Sequence, residues 1–299
     1  MEILNKGLLT LPVCAARHGR ERSGVPQGGP MDPLSCLLAN RLAGNSGGAA
    51  ALEICLSMPT IRFLEQRAFA LTGGDCGAVL QRDGQEIPVP MGQTVLAKAG
   101  DILTGGMLRS GFRAYLAVSG GLLGIPLRSS PVRTGDRLAA GPSQPYRPLR
   151  LLHNPAVFPG NQAVIRVTPG VHAGHFSRAG LDTFCRSLYT YSTRSDRMGI
   201  RFEGPAVEFG PGRDGNIISE GVLPGDIQIT SAGLPILMMA DFQTVGGYAK
   251  IAHVITADLP AAAQLRPGSR VLFKAVPVRE AQELLRAQRR EADSCIAPL

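Results

Sequence analysis

Hydrophobic and polar positions alternate in short runs along most of this chain. Residues 60–64, 69–72, 78–81, 94–96 and 114–119 each form an apolar or alternating run of strand length. Turn sequences bound them: Gly73-Gly74-Asp75, Asp83-Gly84, Gly100-Asp101 and Gly120-Gly121. A period of two closed by Asp-Gly predicts hairpins, because Asp and Gly tolerate the positive φ of a two-residue hairpin turn. The pattern resumes at 163–167, 225–229, 235–239 and 270–276. Short strands at this even spacing predict a mostly β chain, a sandwich or barrel rather than a parallel sheet with crossover helices.

Two segments change period. Asp32 is placed to cap a helix, Pro33 suits its first turn, and Leu34, Leu37, Leu38 and Leu42 make one apolar stripe that Gly44 ends. A second helix is predicted from about Val278 to Ala292, with Ala281, Leu284, Leu285 and Gln288 at helical spacing. Between them, 127–160 is polar and rich in Pro and Gly, so the expected boundary lies near 145–160. That gives an N-terminal half over 1–150 and a C-terminal half over 160–299.

Composition narrows the function classes. The 299 residues are 44% hydrophobic and 18% charged, which is globular and long enough for two cores. Trp is absent and aromatics are 5%, which argues against a nucleic-acid binder that stacks bases. The net charge of +8 comes from arginine, since the lysines are Lys6, Lys98, Lys250 and Lys274, and it suits an anionic small-molecule substrate or an acidic partner subunit. The basic stretch 286–290 is interleaved with Glu283 and Glu291 as on a solvated helix face. The six cysteines form no CxxC pair, which predicts neither a disulfide framework nor a zinc site. His172 and His175 stand without a nearby carboxylate in sequence, so no metal site is expected. The start of the chain lacks the pattern of a signal peptide and no apolar run approaches a membrane span, so the expected location is cytoplasmic, with no membrane partner.

Three segments carry candidate chemistry. In SDRMGIRFEGP, Arg197 and Arg201 offer planar forks for a carboxylate or phosphate, although an Asp196–Arg197 bridge that fixes a loop is an equally simple reading. In SEGVLPGDIQI, Glu220 precedes a glycine; it is a general base if its pKa is raised, and an ordinary surface glutamate otherwise. In ADFQTVGGYAK, an apolar run delivers Asp241, Gln243, Thr244, Tyr248 and Lys250 around Gly246-Gly247. The twin glycines allow close approach of a ligand or positive φ, and a decorated hairpin turn is the plainer alternative. The N-terminal stretch RHGRERSGVPQGGPMD has glycines and arginines suited to an anion but lacks the Gly-Lys-Ser/Thr ending of a phosphate loop.

These segments, together with ANRLAGN, ALTGGD, RAYLAVSGG, GLPILMMADFQTVGGY and AAAQLRPG, resemble the carboxyltransferase-domain family. That family includes the C-type subunit of bacterial 5-oxoprolinase, the Kip antagonist protein, allophanate hydrolase subunit 2 and part of urea carboxylase. The resemblance implies two cyclophilin-like β-barrel halves with a cleft between them, a smaller B-type partner subunit and a further A-type subunit. It implies ATP-dependent opening of 5-oxoproline to glutamate, with ATP bound on this chain or on a partner. By matching position it implies catalytic roles for Arg197, Glu220 and Asp241, and substrate binding by Gln243, Thr244, Gly246, Gly247, Tyr248 and Gln264. The alternatives are a regulatory binding protein of the Kip antagonist type and a carboxyltransferase-type subunit acting on a urea- or allophanate-like substrate. The chain departs from the family at Pro12-Val13-Cys14, at Ala249 where a proline is usual, and in a shorter connection 122–136 that carries Arg128-Ser129-Ser130.

Overall fold

The computed structural model describes residues 1–125 and 130–299, so Arg128 and Ser129 lie outside the described residues. The chain is mostly β, and its contacts resolve into two compact units. The first comprises Met1–Ala16, Asp32–Phe158 and Arg289–Leu299; the second comprises Arg17–Met31 and Pro159–Gln288.

The first unit holds two five-stranded sheets. One runs in the order Glu2–Asn5, Thr60–Arg62, Ile102–Thr104, Val79–Arg82, Gln85–Pro88. The other runs Leu9–Val13, Ala51–Cys55, Arg113–Val118, Arg67–Gly73, Thr94–Ala97. A single apolar cluster takes Ile3, Ile61 and Leu103 from the first sheet and Leu52, Leu71 and Leu116 from the second. Alternate residues of the second sheet, Leu11, Ala51, Tyr115 and Ala117, pack on Cys36 and Ala39 of helix Pro33–Leu42. Its central strands are therefore buried on both faces, which is why Arg113–Val118 reads as a continuous buried run. The helix is capped as its sequence predicts: the Asp32 carboxylate accepts from Ser35 N at 2.9 Å, and Gly44, at φ +78°, follows its last turn. Asp83 and Gly84, at φ +50° and +77°, form the turn between Val79–Arg82 and Gln85–Pro88.

The second unit is a closed seven-stranded barrel. Its order is Gln162–Pro169, Lys250–Val254, Asp226–Ile229, Pro235–Met238, Gly199–Glu203, Leu188–Tyr191, Arg270–Ala275, and the last strand returns parallel to the first. Inward positions alternate along each strand: Ile200 and Phe202, Ile227 and Ile229, Leu237 and Met239 all enter one core. Phe273 anchors that core, stacked on Phe184 at 4.7 Å and edge-on to Phe202 at 5.3 Å. The barrel interior is thus filled by side chains, and the outward positions of the same strands are free to build a site. A two-stranded ribbon, Asn216–Gly221 with Val245–Tyr248, adjoins the barrel. Helices Arg178–Arg186 and Leu259–Ala263, which the sequence did not signal, also belong to this unit. Helix Val278–Ser294 extends the predicted C-terminal helix by two residues. No helix among the described residues is long and apolar enough to cross a membrane.

Candidate functional site

The chain leaves strand Pro235–Met238 and turns at 239–244, where Asp241 N donates to Arg197 O at 2.9 Å. The two side chains meet as well. Arg197 Nε lies 2.8 Å from Asp241 Oδ2 and Nη2 lies 3.3 Å from Oδ1, a two-point fork on one carboxylate. The same Nη2 donates to Gly29 O at 2.7 Å, and a Cβ on Gly28 would stand 3.9 Å from Asp241 Oδ1. The glycine-rich stretch 17–31 therefore presents a carbonyl to Arg197. The local Asp196–Arg197 bridge does not form: Asp196 Oδ1 accepts from Met198 N and Gly199 N and closes its own turn.

Glu220 belongs to a second cluster. Lys250 Nζ stands 2.5 Å from Glu220 Oε1, donates to Gly221 O at 2.7 Å and lies 3.9 Å from Asp226 Oδ2. His253 Nδ1 lies 2.9 Å from Asp226 Oδ1, and His172 Nε2 lies 3.7 Å from Glu220 Oε1. The Lys250 ammonium, hydrogen-bonded to Glu220, holds that carboxyl below its ordinary value of 4.5. A base poised near neutrality needs the opposite direction. Burial pushes His172 below its ordinary 6.5, with Glu220 opposing. Of the two histidines that seem isolated in sequence, His172 thus has a carboxylate companion through the fold and His175 packs edge-on against it at 5.0 Å, yet no group of three His, Cys, Asp or Glu among the described residues is arranged to hold a metal ion.

Gly246 and Gly247 lie in strand Val245–Tyr248 and neither has positive φ. Gly246 is required for close approach: a Cβ there would meet Gln228 Nε2 at 2.5 Å, Gln243 Nε2 at 2.7 Å and Val222 Cγ2 at 3.0 Å. Thr244 contributes its carbonyl, which accepts from Val222 N at 3.2 Å. Gln264 is 1% exposed at the end of helix Leu259–Ala263. Ala249, in place of the family's proline, donates its N–H to Gly215 O at 2.8 Å, a bond proline cannot make.

A pocket of about 180 Å³ opens on the outer face of the barrel wall. Gly199 and Arg201, Ile236 and Met238, and Gln228 supply its wall from three adjacent strands. Gln243 and Tyr248, from the turn and the ribbon, complete it. Gln228 is 1% exposed, and its Nε2 has no hydrogen-bond partner. A buried amide N–H left unpaired costs about 1–3 kcal/mol. The strand register shifts between Ile227 and Gln228 opposite Lys250–Val254, an irregularity that re-aims a side chain, as bulges beside active sites do. Sequence reasoning passed over Gln228 because it sits inside an apolar strand. A lone amide between Ile227 and Ile229 was the available signal.

The structure therefore brings Gln243 and Tyr248 to one pocket, joins Arg197 to Asp241, and ties Glu220 to Lys250. Closed barrel, polar turn and glycine-bearing ribbon define a protein class. The family model for the carboxyltransferase domain, subdomains A and B, matches residues 23–275, and the chain belongs to that family. Among individual relatives, the C-type subunit of Escherichia coli 5-oxoprolinase is 34% identical over 97% of this chain and 96% of that protein. The urea amidolyase of Saccharomyces cerevisiae is 28% identical, covering 91% of this chain and 16% of its own. The crystal structure of the Kluyveromyces lactis urea carboxylase superposes with a TM-score of 0.88 at 26% identity, over 98% of this chain and 29% of that one.

Proposed function

We propose that this chain is the C-type subunit of an ATP-dependent 5-oxoprolinase, opening a cyclic amide to its amino acid only in complex with a smaller B-type and an A-type subunit. The observation that carries this reading is the likeness to the C-type subunit of 5-oxoprolinase along nearly the full length of both chains. The site chemistry is compatible with it. Opening a lactam to its amino acid requires its carbonyl to be held and polarised, water to add to the carbonyl carbon, and a proton to reach the nitrogen as the C–N bond breaks. In this reading Asp241 takes a proton from the attacking water and passes it to the nitrogen, Arg197 positions Asp241 through its fork, and Gln243 with the backbone beside Gly246 orients the carbonyl. Glu220, paired with Lys250, acts as a fixed charge rather than a base.

The pocket is too small to bury a nucleoside triphosphate, since sites for ligands of that size run to about 300–1,000 Å³. In this reading the pocket takes the cyclic amide, nucleotide binds elsewhere on this chain or on a partner subunit, and no step is routed through it. The likeness to urea carboxylase favours a second reading, a carboxyltransferase-type subunit for a urea-like substrate.

Co-expression with the B- and A-type subunits, followed by an assay of ATP hydrolysis, separates these. The expected result is co-purification and hydrolysis that depends on 5-oxoproline, with none from the chain alone. Hydrolysis that responds to urea or allophanate instead would support the second reading, and stable binding without turnover would place the chain among regulators.

A further inference from the structure

Ile236 pairs in register with Arg201 on one side and with Gln228 on the other, so these three residues form one row across adjacent antiparallel strands. Cross-strand partners share a face of the sheet, and two strand spacings put the outer pair about 10 Å apart at the backbone. All three line the outer pocket, with Ile236 as an apolar floor. At one end stands the buried Gln228 amide, whose N–H has no acceptor. At the other stands Arg201, whose backbone bonds to Ser195 Oγ while its guanidinium forms no ion pair among the described residues. Arg197, by contrast, is occupied by Asp241 and Gly29.

Asp196 also lines the pocket, with its Oδ1 engaged by Met198 N and Gly199 N, so the donor at each end and the apolar middle match a ligand with two acceptors, one of them charged and held on the Arg201 side. We infer that this pocket binds a small molecule carrying a carboxylate and an amide or ureido carbonyl, the carboxylate on Arg201 and the carbonyl oxygen on Gln228 Nε2. Gln243 also lines the pocket, and its Nε2 lies beside Gln228 Nε2: a Cβ on Gly246 would meet the two at 2.7 and 2.5 Å. The pocket's volume suits a ligand of this size and excludes much larger ones. Assigning the ligand as the lactam 5-oxoproline rests on the function proposed above; the two-ended recognition rests on the pocket alone.

Calorimetric titration of the full chain tests this with four probes: 5-oxoproline, ureidoacetate, proline and 2-pyrrolidinone. Proline lacks the amide carbonyl and 2-pyrrolidinone lacks the carboxylate, so each is expected to bind at least about 10-fold more weakly than the best carbonyl acid. Gln228→Met and Arg201→Ala are each expected to weaken that acid by about 10- to 100-fold. Gln228→Met also removes an unpaired donor at nearly constant volume, so its Tm is expected to stay level or rise, whereas a structural glutamine would lower it. Binding of 5-oxoproline that depends on both residues supports the pocket and the lactam reading together. Binding of ureidoacetate alone, with the same dependence, keeps the pocket and contradicts the lactam. No binding of either acid, or binding indifferent to both variants, overturns the pocket, and 5-oxoproline turnover in the complex that ignores both variants overturns it while leaving the proposed function intact.

Discussion

A Cβ placed on Gly246 would stand 2.5 Å from Gln228 Nε2, closer than any real side-chain contact allows. The atoms in the way are the ends of the Gln228 and Gln243 side chains, so a Cβ at 246 acts by moving those two amides. Gly246→Ala is expected to cost about 1–3 kcal/mol by overpacking and to lower activity of the complex more than 10-fold by displacing both glutamine amides. Thermal unfolding and a turnover assay on the same variant check the two effects. Gly247→Ala, whose Cβ would meet only Ser219 Oγ at 3.3 Å and Ile217 O at 3.5 Å, is expected to be milder in both.

Arg197 is mostly buried, with 11% of its side chain exposed, and its fork depends on Asp241. Removing the carboxylate by Asp241→Ala takes away the two-point acceptor of that guanidinium. The expected loss is about 1.5–3 kcal/mol, read from denaturant midpoints, with Asp241→Asn losing less because the amide oxygen still accepts. Equal stability of Asp241→Ala and the parent protein would show that the fork contributes nothing.

The Glu220–Lys250 pair predicts a pH dependence. Lys250 depresses the Glu220 carboxyl, so the folded chain holds that proton less tightly than the unfolded chain does. The resulting stability is complete above about pH 4.5 and disappears as pH falls through the lower folded value. His172, depressed by burial, works in the same direction from about pH 6.5 downward. Carboxyl and imidazole titration by NMR is expected to show both below their ordinary values, with Lys250→Met moving Glu220 upward. An unchanged Glu220 titration in that variant would contradict the pairing.

In the first unit, Tyr115 is fully buried, donates to Glu53 Oε2 at 2.8 Å and accepts from Asp32 N at 2.8 Å. Burial first, then Glu53 and Asp32, push its pKa far up, so it remains a donor at all ordinary pH. Tyr115→Phe is expected to cost about 1–3 kcal/mol by leaving both partners short of a bond, without changing ligand affinity in the second unit. A denaturation curve measures the first effect and a binding titration the second.

Much of this architecture is legible in the sequence because its signals are local. The cap at Asp32, the Asp83-Gly84 turn and the two-residue period each depend on neighbours within a few positions, and all appear where expected. Arg197 and Asp241 were legible as candidates but not as partners, since 44 residues separate them. The Glu220–Lys250–Asp226–His253 cluster was hidden for the same reason: it forms only when strands Lys250–Val254 and Asp226–Ile229 pair. Gln228 was the hardest to see. Its burial and irregular register are consequences of barrel closure, which no local pattern reports. Helix Arg178–Arg186 was missed because its polar composition hides the few apolar positions, Phe184 among them, that dock it on the barrel.

The most direct measurement is 5-oxoproline-dependent ATP hydrolysis by the reconstituted complex, comparing the parent chain with Asp241→Asn. Loss of a positioned acid–base group predicts a fall of about 10²- to 10⁴-fold while the subunits still co-purify. Full activity with Asn at 241 would contradict the role given to this carboxylate and, with it, the site proposed around the twin glycines.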